Sequence, residues 1–186
     1  MPASAPLPPW PDEPPSSGGV VLRPLRQDDV AMARDLATDP YVPLIGTLPA
    51  HASEEQARDW IERNQRRWSE GRGFSFAIAD ARTDRAVGQA GLWLAAWPAG
   101  PAEAGYGIAP GARGHGHAAD ALRALTAFAW TLPGLHRVQL HIEPWNTASV
   151  RTAERAGYRR EGLLRGHSEI GGRRRDVLRY ATVRPG

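Results

Sequence analysis

The stretch "ARGHGHAADAL", Ala112–Leu122, joins a glycine-rich turn to the start of an apolar stripe. Upstream, "AEAGYGIAP" (Ala102–Pro110) reads as a short strand. Downstream, Ala118, Ala121, Leu122, Leu125, Phe128 and Ala129 recur at helical spacing. The turn therefore lies between a strand and a helix. N–H groups at a helix start have no intrahelical partner and attract anions. Glycine lets the backbone come close, and Arg113 adds charge-assisted hydrogen bonds. These are the parts of a phosphate or pyrophosphate cradle. A strand-to-helix turn with no anion role has a similar composition, so the segment alone leaves both readings open. No Gly-Lys-Ser/Thr follows, so it is not a Walker loop. Ala119 stands where the third glycine of a dinucleotide fingerprint would fall.

Working outward, "VVLRPL" from Val20 reads as a strand and "RQDDVAMARDLATD" as an amphipathic helix with Asp28 and Asp29 in its first turn. A proline- and glycine-rich loop follows. "SEEQARDWIERNQRRW" opens with Ser53 and Gln56 in a capping-box pattern. "FSFAIAD" and "RAVGQAGLWLA" are strands around a turn at Thr83–Asp84. Gly105 and Gly107 weaken the strand before the turn and predict a bulge or a close approach there. "RVQLHIE" alternates, with Val138, Leu140 and Ile142 on one face and Gln139, His141 and Glu143 on the other. "TASVRTAERAG" is a short helix that Gly157 can close, and two strands meet at a Gly171–Gly172 turn. The order is β-α-α-β-β-β-α-β-α-β-β. Strands alternate with helices only in the second half, which predicts an α/β chain of the α+β kind, with a mixed sheet.

Bulk properties narrow the class. The 186 residues suffice for one domain with its own core. Residues 1–19 are rich in Pro, Ser and Gly and predict a disordered or loosely draped arm, leaving residues 20–186 as the domain. Trp10 is either a stray aromatic or an anchor for a partner or for the domain. No apolar run is long enough for a membrane span, and the N-terminus lacks the pattern of a secretory signal. With 0 cysteines there is no disulfide, thiolate metal site or cysteine nucleophile, which fits a reducing cytoplasm. All 23 cations are arginine, so the pI near 9.9 overstates a net charge of only +3. That charge does not argue for nucleic acid.

The glycine turn and the helix after it together resemble the GCN5-related N-acetyltransferase (GNAT) superfamily, within it the RimJ/RimL-like branch. Arg113, Gly116 and Ala118 fit that family's R/Q-x-x-G-x-G/A loop. "AGYGIAPGARGHGHA" resembles its strand-to-loop segment, and "NTASVRTAERAGYRREGLLR" (Asn146–Arg165) its next block. The likeness runs from Val20 to the C-terminus and is strongest over residues 103–165.

The resemblance implies the GNAT acyl-CoA acyltransferase fold, a central mixed twisted sheet flanked by helices. It implies acetyl-CoA as acyl donor, no metal, and a primary amine as acceptor, either a protein N-terminus or a small molecule. The amine would attack the thioester directly in a ternary complex. Backbone groups of a bulged strand, here Ile108 and Ala109, would hold the pantetheine arm and serve the oxyanion. N–H groups of Gly114, His115, Gly116, His117 and Ala118 would hold the pyrophosphate, with Arg113 at its edge. His115 and His117 are not required by the pattern, and a solvated role is open to both. Asn146 would contact the pantetheine region, cap the next helix, or do both. Many relatives carry a tyrosine acid where this chain has Ala153; Ser149, or water held by it, is the remaining candidate. His141 and Glu143 are candidate bases, with Glu103 another. The loops Pro40–Ala52 and Arg165–Arg175 would wall the acceptor site, with Asp39 or Glu169 drawing in a cationic amine. Relatives are often homodimers. A non-catalytic acyl-CoA-binding sensor is the alternative, and it predicts binding without turnover. A nucleotide- or RNA-binding protein is a third reading; the absence of interleaved arginines and aromatics argues against it.

Overall fold

The structure is a computed structural model that describes residues 6–186. Among these, eight strands form one sheet in the order β1-β2-β3-β4-β5-β6-β8-β7. The strands are β1 (Ser16–Ser17), β2 (Val20–Pro24), β3 (Gly73–Asp80), β4 (Ala86–Trp93), β5 (Ala102–Ile108), β6 (Arg137–Ile142), β7 (Arg159–Ile170) and β8 (Arg173–Val183). The helices are α1 (Val30–Leu36), α2 (Val42–Ile45), α3 (Glu54–Gln65), α4 (His117–Ala129) and α5 (Thr147–Arg155). The sheet is mixed: β5 and β6 run parallel and every other pair is antiparallel. The expected order holds, with β1 and the single-turn α2 added. Among the described residues, no helix is long and apolar enough to cross a membrane.

Both faces of the sheet are covered, which explains the unbroken burial of β3. Phe74 and Phe76 meet Phe128 of α4 edge-on, with ring centroids 4.9 and 5.4 Å apart. The opposite face carries small residues such as Ala77 and Ala86, and there Ala33, Leu36, Trp60 and Ile61 of α1 and α3 pack. The Ser53–Gln56 capping box forms: Gln56 N–H donates to Ser53 Oγ, and Ser53 N–H donates to Gln56 Oε1.

Two expectations need correction. Residues 6–19 are not a free arm. Trp10 packs against Phe76 and Phe74 at 4.9 and 5.6 Å, Trp68 donates its indole N–H to the Pro8 carbonyl, and Ser16–Ser17 pair with Val20–Val21. One aromatic with apolar partners supplies the burial that the Pro-Ser-Gly composition lacks. Residues 1–5 of the arm lie outside the described residues. Second, β5 carries no bulge, since its ladder with β4 runs without a shift from Gly88↔Ile108 to Trp93↔Glu103. Its glycines answer to the protein's own side chains. A Cβ on Gly105 would stand 2.8 Å from the Trp93 indole, and one on Gly107 3.4 Å from Leu36.

Candidate active site

The parallel pair β5–β6 is joined only at Ala102↔Val138 and Glu103↔Gln139, and no ladder continues beyond. The two strands then part. Ala109 N–H donates to the Val87 carbonyl across the β4 side. In an antiparallel ladder the direction alternates, so Ala104, Tyr106 and Ile108 turn their backbone groups toward the gap. The Ile108 N–H therefore faces the gap, while its carbonyl accepts from Arg113 Nε. Ala109 is not placed as expected: its N–H is spent on Val87, and its carbonyl accepts from Ala112 N–H.

The gap leads to the glycine turn. Gly114 and Gly116 have φ of +85° and +78°, a left-handed conformation that side chains rarely adopt. Gly116 is the N-cap of α4, and no side chain caps that end among the described residues. The first-turn N–H groups, including those of His117 and Ala118, are open to an anion. His115 is exposed, with Nδ1 3.3 Å from the Ala112 carbonyl. His117 Nδ1 is buried without a partner among the described residues. Arg113 donates from Nε to the Ile108 carbonyl (3.0 Å) and from Nη2 to Asp39 (2.7 Å), tying the turn to the loop after α1. Asp39 is therefore engaged and not free to draw in an amine. It also accepts from the Tyr41 and Val42 N–H groups. Burial pushes the Asp39 carboxyl upward, but Arg113 and those two N–H groups outweigh it and hold it below the usual carboxylate range.

On the far side of the gap, Asn146 caps α5 by accepting from Ser149 N–H at 3.1 Å. Ser149 stands in the first turn, and its carbonyl lies 3.4 Å from the Tyr106 hydroxyl. Tyr106 was not anticipated. Its place on β5, within reach of α5, is visible only once the strands are paired. Burial raises its pKa, with hydrogen bonds at Ser149 and Thr152 opposing.

A cavity of about 600 Å³ opens beside β5. Both loops expected to wall it do so, through Tyr41, Ile45 and Leu48 on one side and Ser168, Glu169 and Ile170 on the other. Glu103 and His141 also line it, with His141 Nδ1 2.9 Å from Glu103 Oε1. A carboxylate only accepts, so Nδ1 donates in this pair, and in the neutral ring Nε2 is then the acceptor. His167 lies beside His141, ring centroids 4.7 Å apart and planes tilted by 37°. Glu143 is placed differently. It is 5% exposed, is not among the lining residues, and sits 3.8 Å from Arg175 Nε. Burial and then the Glu143 carboxylate push the Tyr41 phenol up. The structure thus joins His141 to Glu103 and not to Glu143.

Residues 20–159 match the family described as the acetyltransferase (GNAT) domain. The chain belongs to the GNAT acetyltransferases. It is 28% identical over 165 residues to the uncharacterized N-acetyltransferase p20 of Bacillus licheniformis, covering 89% of this chain and 93% of that one. Its fold is similar to that of Mycobacterium smegmatis RimJ, solved in complex with a CoA-disulfide. The TM-score is 0.75 at 29% identity, over 94% of this chain and 88% of RimJ. RimL, a ribosomal L7/L12 alpha-N-protein acetyltransferase solved with coenzyme A, shares the fold at a TM-score of 0.74 and 21% identity, over 91% and 96% of the two chains. The chain is therefore an enzyme of the GNAT family, on its RimJ/RimL-like branch.

Proposed function

We propose that this GNAT enzyme transfers the acetyl group of acetyl-CoA to a primary amine by direct attack in a ternary complex. One observation carries the reading. The unpaired edge of β5 runs from the uncapped N-terminus of α4 to a cavity holding the Glu103–His141 pair. Gly114–Ala118 would hold the pyrophosphate and the Tyr106–Ile108 backbone the pantetheine. When bound, acetyl-CoA supplies the acyl group as a thioester. His141 Nε2 accepts the proton of the incoming amine while Glu103 orients the ring and steadies its charge. Backbone N–H groups along β5 stand ready for a carbonyl oxygen as charge grows on it. A hydroxyl, of Ser149 or of Tyr106, holds the proton that a departing thiolate needs. The C–N bond forms, the C–S bond breaks, and CoA leaves as the free thiol. The acceptor is a protein N-terminus or a small amine.

Calorimetric titration with acetyl-CoA, followed by a free-thiol assay over a set of amines, tests the reading. His141→Ala should keep its affinity for acetyl-CoA and lose about 10²- to 10⁴-fold in turnover. Wild-type binding with no turnover on any amine would favour a sensor. No binding at all would refute the transferase.

A further inference from the structure

The acceptor cavity contains a cation with no ion-pair partner among the described residues. Arg67 follows α3 and lines the cavity together with Trp93, Glu103 and His141. Its guanidinium carbon stands 4.8 Å from the centre of the Trp93 ring, a cation–π contact. Its Nε and one Nη are closed to solvent and have no hydrogen-bond partner among the described residues. Arg23, whose guanidinium is also buried, is fully engaged by Asp29, Asp84 and backbone carbonyls. Arg179 Nε is likewise closed to solvent without a hydrogen bond, but it stands 3.2 Å from the Glu161 carboxylate. Burial is the main influence lowering the Arg67 pKa, with Arg72 adding to it and Glu70 opposing. Glu70 itself is bonded to Arg72. Buried donors without acceptors are costly and rare, and the remaining Nη, which is not closed in this way, gives an anion a place to balance the charge.

The rest of the wall holds Arg67 in place. A Cβ on Gly91 or on Gly105 would stand 2.8 Å from the Trp93 ring, so two glycines make the bed for the indole, and the indole makes the bed for the guanidinium. Trp93 is paired with Glu103 across the β4–β5 ladder, which puts both side chains on one face. Glu103 in turn meets His141. One wall therefore presents a cation, then an aromatic plane, then a carboxylate–imidazole pair. Ile45, Leu48, Trp60 and Val177 add apolar surface around it. The cofactor's pyrophosphate is not the missing anion. Its turn lies past Ile108, and the five residues from Glu103 span roughly 17 Å of strand.

We infer that the acceptor is an α-amino acid with an apolar side chain: its carboxylate is read by Arg67 against Trp93, and its amine is delivered to His141 and Glu103. This rests on the transferase reading and narrows the amine to one that carries its own anion.

The test compares wild-type kcat/KM, at saturating acetyl-CoA, for leucine, methionine and phenylalanine and for the three amines lacking the carboxylate: isopentylamine, 3-(methylthio)propylamine and phenethylamine. The amino acids should be better by tenfold or more, and Arg67→Gln should erase that preference chiefly by raising their KM. A second readout needs no turnover. The Arg67 Nε–H resonance, assigned by its loss in Arg67→Lys, should shift on adding 3-phenylpropionate and not on adding phenethylamine. Equal use of acids and amines overturns the inference. So does an unmoved resonance, or turnover of no amino acid by a protein that binds acetyl-CoA. Failure to bind acetyl-CoA is seen separately by calorimetry, and it would remove the transferase reading and this inference with it. The wild-type comparison decides the matter even if the Arg67→Gln chain fails to fold.

Discussion

Replacing Gly116 by aspartate and by alanine separates the charge of the turn from its shape. Gly116 has φ of +78°, and a Cβ there would meet nothing within 4 Å. The steric cost of either side chain is therefore confined to the backbone, about 1–2 kcal/mol for a left-handed residue. For a chain of 186 residues that lowers Tm by about 2–4 °C per kcal/mol in both variants. The cofactor should tell them apart. An aspartate at the N-cap of α4 would stand beside the site assigned to the pyrophosphate. Like charges about 4 Å apart, at an effective dielectric constant near 20, repel by about 4 kcal/mol, or about 10³-fold in affinity. Gly116→Ala carries no such term and should bind acetyl-CoA within about tenfold of wild type, on the scale of its backbone cost. Calorimetry with acetyl-CoA measures both, and S-acetylpantetheine, which lacks the pyrophosphate, is the control that Gly116→Asp should bind like Gly116→Ala. Equal affinities of the two variants for acetyl-CoA would refute the placement of the pyrophosphate on this turn.

Two further outcomes follow from buried groups away from the turn. Asp29 takes two hydrogen bonds from Arg23, which is 5% exposed, so Asp29→Ala strands a buried guanidinium with only Asp84 for charge. Urea unfolding should show a loss of about 3 kcal/mol, and a loss under about 1 kcal/mol would refute the account. The four tyrosines, Tyr41, Tyr106, Tyr158 and Tyr180, all have raised pKa values, with burial the leading cause in each. Unfolded phenols ionise near pH 10 while the folded ones keep their protons, so stability is untouched below pH 10 and falls as pH rises beyond it. For Tyr158 alone the loss at pH 11 is about 1.4 kcal/mol. Phenolate absorbance at 295 nm should rise together with the loss of far-ultraviolet circular dichroism. Free titration near pH 10 with the fold intact would contradict this.

The sequence makes the elements legible where one period dominates. The stripe Leu122–Leu125–Phe128–Ala129 and the alternation of "RVQLHIE" each allow one reading, and both elements stand where their patterns put them. The glycine turn was legible for the same reason, since Gly116 lies between a strand and an apolar helix. What the sequence concealed depends on pairing. Nothing in "NQRRW" separates Arg67 from its exposed neighbour Arg66, because what buries Arg67 is an indole from another strand. Glu103 and His141 are 38 residues apart and meet only because β5 and β6 are adjacent. His141 and Glu143 share a strand face in sequence, yet Glu143 is taken out of the cavity by packing with Tyr41 and Arg175. The Pro-Ser-Gly composition of the arm concealed which reading of Trp10 holds, since a tail is disordered only if nothing in it finds an apolar partner, and Trp10 finds Phe74 and Phe76.

The period of a strand explains how β5 serves two sites at once. Ala104, Tyr106 and Ile108 turn their backbone groups to the gap, forming the edge assigned to the pantetheine. Glu103, Gly105 and Gly107 alternate with them and form the floor of the cavity, where the acid meets His141 and the glycines admit Trp93 and Leu36. Under the proposed assignment, donor and acceptor would meet at one strand at a spacing set by the pleat. A slip of one residue in the β4–β5 ladder would exchange the two sets. Ala104, Tyr106 and Ile108 would then carry side chains into the space Trp93 needs, and the edge facing β6 would be built from the wrong carbonyls and N–H groups. The uninterrupted register from Gly88 to Trp93 is therefore as much a part of the site as any side chain in it.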